Sequence, residues 1–211
     1  ELSNEADMME RVRGHGNVIA LIERAPDDRQ IRMEYVRNGM LRDFQVDTEP
    51  KAKGLARGII DGLAHCHAQG VVHGDLDNKN VFIGGTQAAP VAKIADFGSG
   101  SHGPEALRSK AAGDICGGAT MLRSLATPYL PGAVTFVQAV AAVEQEAIGI
   151  NTRNMQAGAQ NVEAQALELG MSVEAYAEMM GPQPEVAAPT IEEVATLLAN
   201  WRGLTGDAWL A

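Results

Sequence analysis

The spacing of apolar positions predicts a helix at the start of the chain. In SNEADMMERVRG, Met8, Met9 and Val12 recur at helical spacing behind Ser3 as an N-cap candidate, and Gly14 ends the run. NVIALIER and QIRMEYV read as two strands joined by the turn APDD. KAKGLARGIIDGLAHCHAQG then places Leu55, Ile59, Leu63 and Cys66 on one helical face and stops at Gly70. VVHGDLDNKN is expected to be a loop against the core, VFIGG and VAKIA short strands, and DFGSGSHGPE a second loop. From ALRSKAAGDICGGATMLRSLA onward the pattern is helical, with breaks at TPYLPG, GINTRN and GPQPEVAAPT. Strands crowd the first part and helices fill the rest. The fold class is therefore α+β, a small sheet-bearing lobe over 1–38 followed by a mainly helical lobe over 39–211.

Composition narrows the chemistry. Hydrophobic residues make up 45% of the 211 and aromatics only 4%, so the core is expected to be built from Ala, Val, Leu, Ile and Met, with helices packed closely. No apolar run approaches the roughly 20 residues that span a bilayer, and the first residues show no signal-peptide pattern. The net charge of −10, with dispersed basic residues, argues against a nucleic-acid surface and suits a partner with a basic one. Cys66 and Cys116 lie in apolar helical surroundings and read as buried thiols, which points to a reducing, cytoplasmic compartment. His15, His65, His67 and His102 share no zinc-like spacing.

One stretch demands a chemical explanation. Between Gly70 and Gly98, Asp75 and Asp96 each follow an apolar run, with Asn80 between them. Carboxylates placed where desolvation is costly call for compensation, and a metal ion or a phosphate supplies it. Taken singly, each Asp also fits a turn-capping role beside a glycine.

The order and spacing of these residues resemble a known family. HGDLDNKN followed by ADFG is similar to the catalytic loop and metal-binding turn of eukaryotic-type protein kinases, with Gly74 in place of the usual Arg. The resemblance implies ATP- and Mg-dependent phosphoryl transfer to a protein Ser or Thr hydroxyl. Asp75 would be the catalytic base, and Asn80 and Asp96 the metal ligands. Glu5, in the first helix, would pair with a strand-three lysine. Met33 would be the gatekeeper, the backbone of Glu34 and Val36 would meet adenine, and Phe82 would lie on the adenine-facing surface. Leu21, Met9, Phe97 and His73 would form a buried spine, Asp114 would anchor the catalytic loop, GPE (Gly103 to Glu105) would close the activation segment, and APTIEEVATLL would be the last helix.

Departures from the family pattern carry further expectations. No glycine-rich loop or lysine precedes Glu5, so these are expected upstream of Glu1, and the chain by itself is expected to bind ATP weakly. Asp96 to Glu105 spans ten residues, and with Gly74 this implies activity without activation-loop phosphorylation at Ser99 or Ser101. Asp77 stands where a lysine is usual, and Lys79, otherwise a solvated loop lysine, would restore the charge near the transferred phosphate. These features resemble compact effector kinases of the OspG and NleH type, which bacteria inject into host cells. That likeness implies secretion into the host cytosol and a host protein that is substrate or activator. Two alternatives stay open: a pseudokinase serving as a binding module, and a small-molecule phosphotransferase of the aminoglycoside type.

Overall fold

A computed structural model describes residues 2–25, 30–159, 166–180 and 187–211. Helix α1 (Leu2–Arg11) leads into an antiparallel pair, β1 (Leu21–Arg24) and β2 (Ile31–Met33). Helix α2 (Glu49–Ala68) follows, then β3 (Val71–Val72), the hairpin β4 (Val81–Gly85) and β5 (Pro90–Ile94), and β6 (Ser101–His102). Among the described residues, α3 (Pro104–Ala126), α4 (Val134–Ala159), α5 (Val173–Met180) and α6 (Ile191–Gly203) follow. The architecture is α+β, and the strands among the described residues all lie in the first half.

The face of α2 that carries Leu55, Ile59, Leu63 and Cys66 is wholly buried, and Gly70 ends the turn with φ 73°. Fully buried Ile115, Leu122, Phe136 and Leu197 continue the core across α3, α4 and α6. Trp201, also fully buried, donates its indole N–H to the Ile60 carbonyl at 3.2 Å, which locks α6 against α2. The segment after α1 is stitched to β5 by Ile19 N–H to the Ile94 carbonyl (2.8 Å) and Ile94 N–H to the Asn17 carbonyl (2.9 Å).

Several sequence expectations need correction. Ser3 lies inside α1 rather than capping it, and its hydroxyl accepts from Arg24 at 3.2 Å. The two loops around the acidic residues each contain a two-residue strand, and β3 and β6 pair antiparallel. GINTRN does not interrupt α4, because buried Ala147 and Ile150 hold that helix on the core. A break falls instead after Leu169, where Gly170 adopts φ 64°. Most of the APDD turn and the first part of GPQPEVAAPT lie outside the described residues.

Both cysteines are free thiols; Cys66 is buried, and burial pushes its thiol well above the ordinary range. Cys116 is only half-buried, in part against expectation. Among the described residues no helix is long and apolar enough to cross a membrane.

Candidate active site

The β4–β5 hairpin sets the site. Its register pairs Val81 with Ile94, so Asn80, just before β4, and Asp96, just after β5, emerge at one end. Ala95 N–H donates to the Asn80 carbonyl at 2.9 Å and fastens the two segments where the strands stop. Asp96 adopts φ 63°, a left-handed conformation that costs a side-chain-bearing residue about 1–2 kcal/mol and that Asp tolerates better than most. Its side chain is exposed and has no partner among the described residues.

Asp75 is held from one side only. Lys79 Nζ lies 2.9 Å from its Oδ2, and Asn80 Nδ2 donates to the same oxygen at 3.2 Å and to the Asp75 carbonyl at 2.7 Å. Asp75 Oδ1 and Asn80 Oδ1 have no partner among the described residues. The Lys79 hydrogen bond is the main cause that lowers the Asp75 carboxyl below its ordinary range, with a smaller contribution from Asn80. The same contact raises Lys79. Asp77 acts locally: its carboxylate accepts from Asn78 N–H at 2.5 Å and its carbonyl from Asn80 N–H at 2.9 Å, which turns the loop.

Beneath the loop Asp114 is buried in α3. Its Oδ1 accepts Gly74 N–H at 2.8 Å, and its Oδ2 accepts His73 N–H at 2.8 Å and His67 Nε2–H at 3.0 Å. His73 receives Asp75 N–H at Nδ1 (3.3 Å) and donates from Nε2 to the Ala95 carbonyl (2.8 Å), so its proton sits on Nε2. It packs 5.0 Å from Phe97, and Met9 and Leu21 are buried as well.

Gly74 has a steric reason. Its φ is 81°, and a Cβ there would stand 2.5 Å from the Ser99 carbonyl oxygen, so the loop runs against the Asp96 turn too closely for a side chain. Likewise a Cβ on Gly117 would meet the Leu76 carbonyl oxygen at 2.0 Å, which lets the loop rest directly on α3.

The remaining sequence candidates are placed around this centre. Met33 ends β2 and is 40% exposed. Glu34 donates its N–H to the Ala20 carbonyl (2.9 Å), and its carboxylate takes Lys93 Nζ (2.7 Å) and Ala20 N–H (2.9 Å). The Val36 backbone has no partner among the described residues; Val36 and Phe82 are half-buried against the core. Glu5 lies on α1. Ser99 is exposed, whereas the Ser101 hydroxyl oxygen is buried and lacks a hydrogen-bond partner. Glu105 pairs with Arg108 on the same helix at 2.7 Å.

Two positioning residues escaped sequence reasoning. Asn4 on α1 donates to the carbonyls of Gly98 (3.2 Å) and Gly100 (2.9 Å), and so ties that helix to the turn after Asp96. His67 had been grouped only with histidines of unsuitable metal spacing. Neither carries a local signal, because the partners lie 94, 96 and 47 positions away.

A family model described as the protein kinase domain matches residues 1–117, more than half of the chain. The chain belongs to the protein kinase domain family. Calcium-dependent protein kinase 27 of Oryza sativa subsp. japonica is 37% identical over 106 residues, which cover 46% of this chain and 17% of that protein. The SNF1-related protein kinase catalytic subunit alpha KIN12 of Arabidopsis thaliana is 36% identical over 90 residues, 40% of this chain and 18% of that protein. Mitogen-activated protein kinase kinase kinase 3 of Arabidopsis thaliana is 28% identical over 108 residues, 48% and 17% of the two chains. The matched stretch thus spans less than a fifth of the length of each of these kinases.

Proposed function

We propose that this kinase domain transfers the γ-phosphoryl group of ATP to Ser or Thr hydroxyls of proteins, with Asp75 as base and Asn80 and Asp96 as metal ligands. The observation that carries the reading is a set of oxygens without hydrogen-bond partners among the described residues: Asp75 Oδ1, Asn80 Oδ1 and the Asp96 carboxylate. The Asn80 amide nitrogen is tied to Asp75, which turns its oxygen outward as a ligand. No group of three or more His, Cys, Asp or Glu side chains able to hold a metal occurs among the described residues. A hard cation that keeps several waters and shares phosphate oxygens needs only one carboxylate and one amide, so the donor set suits Mg²⁺. When bound, Mg²⁺ neutralises charge on the phosphate oxygens.

The chain's own groups do the rest. The acceptor hydroxyl donates to Asp75 Oδ1, which orients it and receives its proton as the new oxygen–phosphorus bond forms and the bond to the β–γ bridging oxygen breaks, leaving ADP. Lys79 holds Asp75 through its Oδ2 and adds positive charge beside the transferred group. Glu5, Met33, Glu34, Val36 and Phe82 are assigned to the nucleotide side, and the lobe boundary to residues 38–39. Switching by loop phosphorylation is disfavoured by the steric closure at Gly74 and by the buried Ser101 hydroxyl. The relatives above come from plants, and secretion into a host forms no part of this reading.

The test is the initial rate of phosphate transfer from Mg-ATP to Ser/Thr peptides by the full-length protein and its Asp96→Ala variant. Loss of transfer in the variant, with the fold retained by circular dichroism, is expected. No transfer by the wild type would favour a pseudokinase, and equal rates would refute the ligand assignment.

A further inference from the structure

Beside Asp75 lies a cavity of about 340 Å³ whose wall includes Asp75, Ser109, Lys110, Asp114 and Asn151. It joins the catalytic loop to the outer face of α3 and to α4. It owes its existence to two features of the chain. The segment from Asp96 to Glu105 is too short to fold over this face, and α3 runs without interruption from Pro104 past Asp114.

The charges in its wall are not equivalent. Both oxygens of Asp114 are engaged by three N–H donors. Oδ2 of Asp75 faces Lys79, and its Oδ1 is reserved for the acceptor hydroxyl. Ser109 donates its hydroxyl back to the Glu105 carbonyl at 2.8 Å. Lys110 is exposed, and neither its ammonium nor the Asn151 amide has a partner among the described residues. What the cavity offers an incoming side chain is therefore a cation and an amide.

We infer that Lys110 and Asn151 form a specificity site for an acidic residue flanking the phosphorylated Ser or Thr. The inference rests on Asp75 being the group that receives the acceptor hydroxyl. Asp75 is part of the cavity wall, so a hydroxyl at Asp75 brings the neighbouring peptide residue to this cavity, where a carboxylate meets the Lys110 ammonium beside the Asn151 amide. The net charge of −10 opposes acidic peptides at long range. Salt screens that field beyond about 8–10 Å, so the contact with Lys110 decides.

The experiment uses full-length protein and three peptides identical except for Glu, Ala or Lys beside one Ser. Steady-state phosphorylation is measured, and binding of non-phosphorylatable Ser→Ala counterparts is followed by fluorescence anisotropy. The wild type is expected to favour the Glu peptide over the Ala peptide by about two- to five-fold, mainly in KM. Lys110→Glu should abolish that preference and favour the Lys peptide in both measurements, while Lys110→Arg should keep the Glu preference. Charge-dependent binding without any transfer would leave this site standing and refute the phosphoryl-transfer reading. Transfer with the same peptide ranking in wild type and Lys110→Glu would refute the site alone.

Discussion

Replacing Asp114 with Asn should destabilise the domain far more than an isosteric change usually does. The carboxylate is buried and accepts three N–H donors, two of them, from His73 N–H and His67 Nε2, at one oxygen. An amide can accept at one position only and presents its own N–H groups at the other. The amide keeps more bonds when its carbonyl oxygen faces the His73 and His67 donors, which leaves Gly74 N–H against an NH₂ group. One donor left unsatisfied in the interior costs roughly 1–3 kcal/mol, and loss of the charge that strengthens the two remaining bonds brings the total to about 2–4 kcal/mol. That is a large part of the ~5–15 kcal/mol by which domains are stable. Urea denaturation of the full chain, followed by far-UV circular dichroism, reads this as a lower midpoint at constant slope. A loss below 1 kcal/mol would refute the assignment of Asp114 as the anchor of the catalytic loop.

Restoring a side chain at Gly74 should harm rather than help: Gly74→Ala is expected to cost about 2–3 kcal/mol, from the left-handed φ and the clash with Ser99, and Gly74→Arg at least as much, both by urea denaturation. Asn4→Ala removes two hydrogen bonds to the turn after Asp96 and should cost about 1–2 kcal/mol while raising the Mg²⁺ concentration for half-maximal transfer. His15 stacks 4.6 Å from His65, and its pKa is held below 6.5, first by burial and then by the His65 charge. The unfolded chain therefore binds that proton more readily, and stability falls as pH drops from 6.5 toward the lowered value. A His15→Asn variant should show a smaller fall in urea midpoint between pH 7.5 and 5.5 than the wild type.

The centre of the site was legible because hairpin register converts sequence spacing directly into geometry. With β4 and β5 paired from Val81 and Ile94, Asn80 and the turn at Asp96 have little freedom in where they stand. The burial of Met9 also follows from apolar periodicity in the first helix, whereas that of Leu21, His73 and Phe97 was an expectation carried by the family resemblance. β3 and β6 escaped because two residues carry no periodicity. GINTRN misled because glycine and asparagine weigh against a helix locally, whereas packing of Ala147 and Ile150 outweighs roughly 1 kcal/mol of propensity. The hydrogen bonds of Asn4 and the contact of His67 with Asp114 join segments far apart in sequence, and only tertiary structure reveals them.

In the proposed mechanism Asp75 acts on the acceptor hydroxyl while Asp96 holds the metal. Mg-ATP affinity and single-turnover transfer, measured side by side in the full-length protein and in its Asp75→Ala and Asp96→Ala variants, separate the two roles. Asp75→Ala is expected to keep near-normal Mg-ATP affinity and lose about 10²–10⁴-fold in transfer, and Asp96→Ala to lose both. An Asp75→Ala protein that transfers phosphate at the wild-type rate would contradict this mechanism.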